Sequence, residues 1–204
     1  MKKNLTAFLL VFTMFGGFAF AQSFEGTITT EIAFNPAKNS VLSIQGNQAF
    51  FHRDQVKVDF LTNLDDQTLT RITYYPQQTE VAISTLGSGR SAGSQFNDVI
   101  ETTDTQEIDG YTCTKVLATF NQVTYTAWVA KDLAHLNIEA FIPEQTFGSV
   151  AHTLYIPGVS GVVLELEADL EIQGNPYHIR NRVKEAPVAG DVFELPADAR
   201  VIRQ

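Results

Sequence analysis

The stretch that decides the fold is Val162–Ile172, which reads Val-Val-Leu-Glu-Leu-Glu-Ala-Asp-Leu-Glu-Ile. Apolar residues occupy every second position from Val162, and acidic residues fill the positions between them from Glu165 onward. Successive side chains of a strand point to opposite faces, so this alternation predicts a β-strand with one buried and one solvated face. Strands of this kind are typical of an antiparallel sheet that is covered on one side.

The same period of two recurs along the chain, and turn residues separate the alternating segments. Further predicted strands lie at 24–34, 56–60, 71–74, 81–83, 112–120 and 123–130. Gly46, the Asn63–Asp66 segment, Asn121 with Gln122, and Gly174 supply the turn chemistry between consecutive strands. The sequence therefore predicts a mainly β protein.

Few segments have a helical pattern. Asp132 is a candidate N-cap for a short helix that Pro143 ends, and a second helix is predicted near Ser94–Thr102.

Strands with one apolar face must bury that face. We therefore expect a curved antiparallel sheet that forms a half-open β-barrel, with one or two short helices as a plug. A two-layer β-sandwich is the alternative.

The first 21 residues have the composition of a secretory signal peptide. Lys2 and Lys3 precede a nearly continuous apolar run, and Ala19-Phe20-Ala21 is a small-residue cleavage site. Cleavage there leaves 183 of the 204 residues as a single β-rich domain, 22–204. No cysteine lies at the cleavage point for lipid attachment, so we expect a periplasmic or secreted protein without a stable membrane anchor.

The charge of the chain excludes one class of partner. The formal charge of −9 becomes −11 when the predicted signal peptide, with Lys2 and Lys3, is cleaved. A protein this acidic is repelled by nucleic-acid phosphates. Cys113 is the only cysteine, so an internal disulfide is impossible, and its place in a predicted strand indicates a buried structural thiol.

One segment resembles a known family. The run Ile108-Asp109-Gly110-Tyr111-Thr112-Cys113-Thr114-Lys115, followed by Trp128-Val129-Ala130-Lys131-Asp132-Leu133, resembles a secreted domain of unknown function in Gram-negative Bacteroidota. The opening 24–29 and the closing 193–198 also look like that family. Its members are similar to the periplasmic lipoprotein-carrier fold (LolA/LppX-like), a half-open barrel with an apolar cavity. The resemblance implies lipid or lipoprotein handling by analogy of fold.

Catalytic and metal-binding patterns are weak. Gly89-Arg90-Ser91-Ala92-Gly93 matches the nucleophile-elbow motif, but it lies in a Gly/Ser-rich loop rather than between a strand and a helix. His135 and Glu139 are four residues apart on a possible helix, and two ligands do not complete a metal site. His52 is interpreted as a solvated residue at a strand end. We expect no enzyme activity, no metal and no cofactor.

A hairpin at Gly174 would bring charges of opposite sign together. It sets Glu165, Glu167, Asp169 and Glu171 opposite His178, Arg180, Arg182 and Lys184. We interpret these residues as an ion-pair ladder on the solvated face rather than as paired catalytic carboxylates.

The function expected from these observations is that of a non-enzymatic carrier or chaperone-like protein. It would hold a hydrophobic small molecule, lipid, acyl chain or lipoprotein against the concave face of the sheet. An envelope interaction or structural module without a bound small molecule is the alternative. The predicted cavity lining consists of Phe24, Ile28, Ile32, Phe34, Val58, Phe60, Ile72, Tyr74, Phe120, Trp128, Leu164 and Leu166.

Overall fold

The computed structural model describes residues 24–86, 96–143 and 147–203, and the predicted signal peptide and Ser91 lie outside them. All strands of the described residues belong to one sheet. The strands are β1 Glu25–Ile32, β2 Ser40–Gln45, β3 Gln48–Arg53, β4 Val58–Asn63, β5 Thr68–Tyr74, β6 Thr79–Thr85, β7 Asn97–Ile108, β8 Tyr111–Phe120, β9 Val123–Ala130, β10 Val162–Ile172, β11 Asn175–Glu185 and β12 Arg200–Arg203.

The sheet is mixed and open. Its strand order is β12-β6-β5-β4-β3-β2-β1-β11-β10-β9-β8-β7, so within the described part of the chain β12 and β7 are edges that do not join. Neighbouring strands run antiparallel, except that β12 runs parallel to β6. The prediction of a mainly β fold is confirmed, and the sheet is not closed into a barrel.

The hairpins follow the predicted turn chemistry. Gly46, Gly174 and Asn121 have positive φ angles of 57°, 77° and 48°, which the tight turns between consecutive strands require. The prediction of a helix near Ser94–Thr102 was wrong, because β7 occupies residues 97–108. Its mostly polar sequence suits an edge strand, which has one ladder partner and much solvent exposure.

Short turns cover one face of the sheet. The covering segment runs from Lys131 to Ile156 and contains the 3₁₀ turns Lys131–Leu136 and Gly148–Thr153 and the helix α1, Ile138–Phe141. Asp132 is not the N-cap of a helix, because the 3₁₀ turn begins at Lys131, one residue earlier, and no side chain caps it. Within the described residues, no helix is long and apolar enough to cross a membrane.

Ring contacts define the face that this segment covers. The ring of Phe147 lies 5.4 Å from that of Phe51 and 4.8 Å from that of Phe60. We call this side of the sheet the front face and the other side the back face. Thr62 shares the front face with Phe60, and its hydroxyl donates a 2.9 Å hydrogen bond to the carbonyl of Phe141.

The C-terminal segment covers part of the back face. After β11, the amide of Val188 donates a 3.0 Å hydrogen bond to the Glu25 carboxylate, and the 3₁₀ turn Gly190–Phe193 contacts β3. The chain then reaches β6 at the far edge. Ile72 and Val81, which face away from Phe147, are 2% and 0% exposed. The segment therefore crosses the back face, and the β1–β6 half of the sheet is buried on both sides.

Candidate functional site

The structure distributes the predicted lining residues over several places. Ile28 and Leu164 lie in a first core cluster, against which Phe24, Phe60 and Trp128 pack. Leu166 lies in a second core cluster, against which Ile32 and Phe34 pack. Four predicted lining residues belong to neither cluster: Val58, Ile72, Tyr74 and Phe120.

The first cluster is filled by protein side chains. Ile28 and Leu164 are 0% exposed, and Leu133, Phe141 and Leu154 of the covering segment are at most 3% exposed in the same cluster. Packing of this density leaves no space for a ligand beside these residues. An apolar molecule could enter here only if the covering segment moved.

The second cluster ends in a row of aromatic side chains on the front face. The Phe34 ring stacks on Tyr177 at 4.9 Å and 22°, and Tyr177 meets Tyr125 edge-on at 5.3 Å. Phe96 continues the row at 5.9 Å from Tyr125 and 6.2 Å from Phe120. We call Phe34, Tyr177, Tyr125, Phe96 and Phe120 the aromatic row.

Strand register explains why these rings meet. Ala168 of β10 lies directly opposite Tyr125 of β9 and Tyr177 of β11, so the small Ala168 side chain leaves room for both phenol rings. The rings remain half-buried, whereas Ala127, Ile179 and Leu166 beside them on the same face are at most 1% exposed. The row is thus the part of the front face where large apolar side chains stay accessible.

Burial keeps the two phenols of the row protonated. It raises the pKa of Tyr177 to about 12, with a smaller contribution from Tyr125, and it also raises the pKa of Tyr125. Phe96 additionally contacts the buried His152 ring at 4.7 Å. The row therefore presents neutral rings and phenol O–H groups rather than charges.

Two of the predicted lining residues point to the back face. Ile72 pairs with Asp59 and Val81, and it alternates with Arg71, which lies opposite Phe60. Tyr74 shares the face of Ile72, and a hydrogen bond joins it to Asp59. The sequence pattern could not separate the faces here, because β5 has a buried apolar residue on each face, Leu69 on one and Ile72 on the other.

Trp128 and Val58 also stand apart from the aromatic row. Trp128 lies opposite Glu165 and Lys115, so it shares their face rather than the face of Ala127. Val58 is half-buried at the start of β4.

Sequence reasoning missed a polar cluster on the back face. The Asp59 carboxylate is 3% exposed and lies 2.8 Å from Nδ1 of His52. His52 was interpreted as a solvated turn residue; it lies within β3, and its side chain is 46% exposed. Burial and the Asp59 hydrogen bond raise the pKa of Tyr74 to about 12. This cluster ties three neighbouring strands together.

The predicted ion-pair ladder forms only in part. Glu165 and Arg180 are opposite each other, with the Arg180 Nε 3.9 Å from the carboxylate. Arg180 also donates a 2.7 Å hydrogen bond to Asp109, and Arg182 pairs with Glu31 of β1 at 3.2 Å. A register shift after Ala168 displaces the later acids, so that Glu171 faces Pro176 instead of a cation.

Depressions on the described part of the surface include the following two. One, of about 410 Å³, lies beside the arginines of the ladder and is lined by Glu31, Ile32, Ala33, Pro36, Asn39, His178, Arg180 and Arg182. The other, of about 210 Å³, lies between Ala134–Glu139 and Tyr155–Gly161. The two arginines of the larger depression already pair with carboxylates, Arg180 with Asp109 and Glu165 and Arg182 with Glu31.

The described residues show no metal-binding group. Among them, no three His, Cys, Asp or Glu residues are arranged to hold a metal ion. His135 bonds the carbonyl of Asp132 rather than Glu139. Cys113 is fully buried, and burial with the nearby Glu165 raises the pKa of its thiol to about 11.

Comparisons with known proteins bear on the fold alone. No family model and no curated protein matches the sequence. One solved structure of PNGF-II is similar, at 12% identity and a TM-score of 0.49, covering 89% of this chain and 32% of PNGF-II. A second solved structure of PNGF-II has 13% identity and a TM-score of 0.50, with coverage of 89% and 31%. The chain thus spans about a third of the length of PNGF-II, and at this identity the likeness concerns architecture only.

Proposed function

We propose that this protein is an exported, non-enzymatic binding protein that holds an apolar ligand on the front face of its sheet. The observation that carries this proposal is the aromatic row, whose rings are in continuous contact and stay half-buried beside a fully buried core. Aromatic side chains bury large apolar areas, and a row of them forms a surface for a second apolar body.

The chemistry of the row favours a neutral apolar ligand such as an acyl chain. Its phenols are protonated, and no charged side chain belongs to it. The acidic chain also repels anionic molecules. The resemblance of the sequence to the lipoprotein-carrier fold supports a lipid or a lipoprotein acyl chain as the natural occupant.

A neutral fluorescent probe, N-phenyl-1-naphthylamine, tests this proposal. We expect the probe to bind the protein and expect the double variant Phe34→Ala/Tyr177→Ala to bind it at least about tenfold more weakly, because each ring contributes 1 kcal/mol or more of apolar contact. The matched control is Tyr75→Ala, which removes an exposed aromatic ring outside the row. Equal binding by both variants would refute the proposed surface.

Native mass spectrometry supplies an independent readout. A carrier is expected to retain a co-purifying lipid that organic extraction releases. The Phe34→Ala/Tyr177→Ala variant should carry less of it than the Tyr75→Ala control.

A second candidate is an envelope interaction or structural module that binds no small molecule. The packing of the covering segment on the first cluster favours it, since the Phe147 ring lies against the cross-strand pair Phe51 and Phe60, where a ligand would otherwise contact the sheet. Absence of probe binding and of extractable lipid, together with a specific partner in a pull-down from envelope extracts, would select this candidate.

A fluorophosphonate probe tests for hydrolase chemistry at Ser91. We expect no labelling of this residue.

Export is a separate part of the proposal. Expression of the full chain in a Gram-negative host should yield a periplasmic or secreted protein whose first residue is Gln22. Deletion of residues 2–21 should leave the protein in the cytoplasm. A cytoplasmic product that retains Met1 would contradict export while leaving the binding proposal intact.

A further inference from the structure

The two edges of the sheet carry charges of opposite sign. β7 contains Asp98, Glu101, Asp104 and Glu107 and no basic residue. β12 has the sequence Arg-Val-Ile-Arg and no acidic residue. In the described part of the chain no further strand pairs with the outer side of either. Each edge thus offers unpaired backbone N–H and C=O groups in a distinct electrostatic setting.

Each edge also exposes one β-branched apolar side chain. Ile100 of β7 is 56% exposed, and Val201 of β12 is 51% exposed. The other large apolar residues exposed in the described residues, Tyr75 and Leu195, lie outside the strands. Isoleucine and valine at an accessible ladder position favour strand pairing, because branched side chains pack well across neighbouring strands.

Charge determines which edges can meet. Pairing β7 with β7 of another copy would place acidic residues opposite each other. Pairing β12 with β12 of another copy would place arginines opposite each other. Both pairings are disfavoured by repulsion between like charges. Lys131 and Lys115 pair with Glu101 and Asp104 at 2.7 and 3.6 Å, which leaves Asp98 and Glu107 as the acids of this edge that have no ion pair among the described residues. The unlike pairing brings these acids near the basic strand.

We propose that the occupant of each edge is a second copy of this chain, with β12 of one molecule docking on β7 of the next. The contact is heterologous, because different surfaces of the two copies meet, so it leaves a free β7 at one end and a free β12 at the other. Assembly therefore continues head to tail, into open-ended chains or, where the rotation between copies closes, into rings. A dimer closed by two-fold symmetry does not form.

The size of the contact makes it weak. β12 has four residues, so the shared ladder is about 13 Å long at about 3.3 Å per residue. That is well below the interface size of stable complexes. We expect association in the sub-millimolar to millimolar range, reversible, and lost at about 1 M salt, where the Debye length is about 3 Å.

Sedimentation velocity of the purified protein over a concentration series tests the proposal, with two charge-reversed variants. Arg200→Glu/Val201→Glu makes β12 acidic, and Ile100→Lys/Asp104→Lys/Glu107→Lys makes β7 basic. Each variant alone should associate at least about tenfold more weakly than the parent protein, because both of its edges then carry the same sign. An equimolar mixture of the two variants should regain the series of dimers, trimers and larger species.

Controls separate an edge effect from a loss of folding. All five substituted residues are exposed, so the thermal unfolding midpoint should stay close to that of the parent protein. Tyr75→Lys adds a charge at an exposed residue off both edges and should associate as the parent does.

Four results would overturn the proposal. One is a parent protein that stays monomeric over the whole concentration series. Another is association that both variants retain, which would place the contact on a different surface. A closed dimer sensitive to only one edge would show that this edge pairs with itself. Failure of the mixture to regain the larger species would show that the two edges do not pair with each other.

Discussion

The hydroxyl of Thr30 donates a 2.7 Å hydrogen bond to Oδ1 of Asn181 across the β1–β11 pair, with the two residues 1% and 0% exposed. Nδ2 of the same Asn181 donates to the carbonyls of Thr153 and Val163 at 2.6 and 2.7 Å. One buried carboxamide thereby joins β1, β10 and the covering segment. It fixes the end of the covering segment that lies nearest the aromatic row, since Thr153 follows His152.

We expect Asn181→Leu to lower the free energy of unfolding by about 3 kcal/mol or more. The leucine side chain has the same branching and the same number of heavy atoms, but it leaves a buried hydroxyl and two carbonyls without their present partner, and each such loss costs about 1–3 kcal/mol. Urea denaturation measures the change. Thr30→Val removes only one of the three hydrogen bonds and should cost about 1 kcal/mol, so equal losses in the two variants would contradict this account.

Two glycines with positive φ angles should respond very differently to alanine. Gly161 has φ 125°, and a Cβ there would lie 2.5 Å from the carbonyl oxygen of Ala130, whereas a Cβ at Gly158, with φ 81°, meets nothing within 4 Å. Gly158→Ala should cost about 1 kcal/mol of backbone strain. Gly161→Ala should cost at least twice as much, because β9 and β10 must separate. Thermal unfolding of the two variants makes the comparison.

Cys113 should be unreactive while the protein is folded. Cys113 is 0% exposed, so a reagent cannot reach its thiol. Burial, with Glu165 nearby, raises the pKa of the thiol to about 11, so little of the reactive thiolate is present near pH 8. We expect a disulfide reagent to modify no thiol in the native protein and one thiol per chain in urea. Rapid native modification would show that the strands around Cys113 open readily.

How much of this fold the sequence predicted depends on how each strand is buried. Val162–Ile172 was correctly predicted as a strand because one of its faces is exposed to solvent, so that acidic residues alternate with apolar ones along the sequence. Ile72 and Tyr74 were expected in the lining of the concave face but lie on the back face, because β5 has buried apolar residues on both faces and the pattern does not separate them. Residues 97–108 were missed as a strand because an edge strand with many polar residues lacks the periodic apolar signal.

The candidate site was predictable only in part. Phe34 and Phe120 were expected in a ligand surface and do lie in the aromatic row, but Tyr177, Tyr125 and Phe96 were not singled out. Their meeting depends on Ala168 lying opposite both tyrosines, which is a matter of strand register. The pairing of His52 with Asp59 was missed for the same reason, since a cross-strand pair has no fixed spacing along the sequence. Register is set by the whole sheet and not by any one segment.

Two half-buried phenols with raised pKa values predict a loss of stability at alkaline pH. Burial is the main cause that raises the pKa of both Tyr177 and Tyr74 to about 12, against about 10 in an unfolded chain. Below pH 10 both states hold the phenol protons; between about pH 10 and 12 the unfolded state releases protons that the folded state keeps. The free energy of unfolding therefore falls as pH rises through this window.

Phenylalanine substitutions separate the two contributions. Tyr177→Phe keeps the ring stacked on Phe34, so stability at neutral pH should change by less than about 0.5 kcal/mol, while the decline above pH 10 becomes shallower. Tyr74→Phe should flatten the decline too, but it also removes the hydrogen bond to Asp59 and should cost about 1 kcal/mol at neutral pH. Urea denaturation at a series of pH values, with phenolate absorbance followed in parallel, measures both effects. A decline that is equally steep in the parent and in both variants would show that other groups control alkaline unfolding.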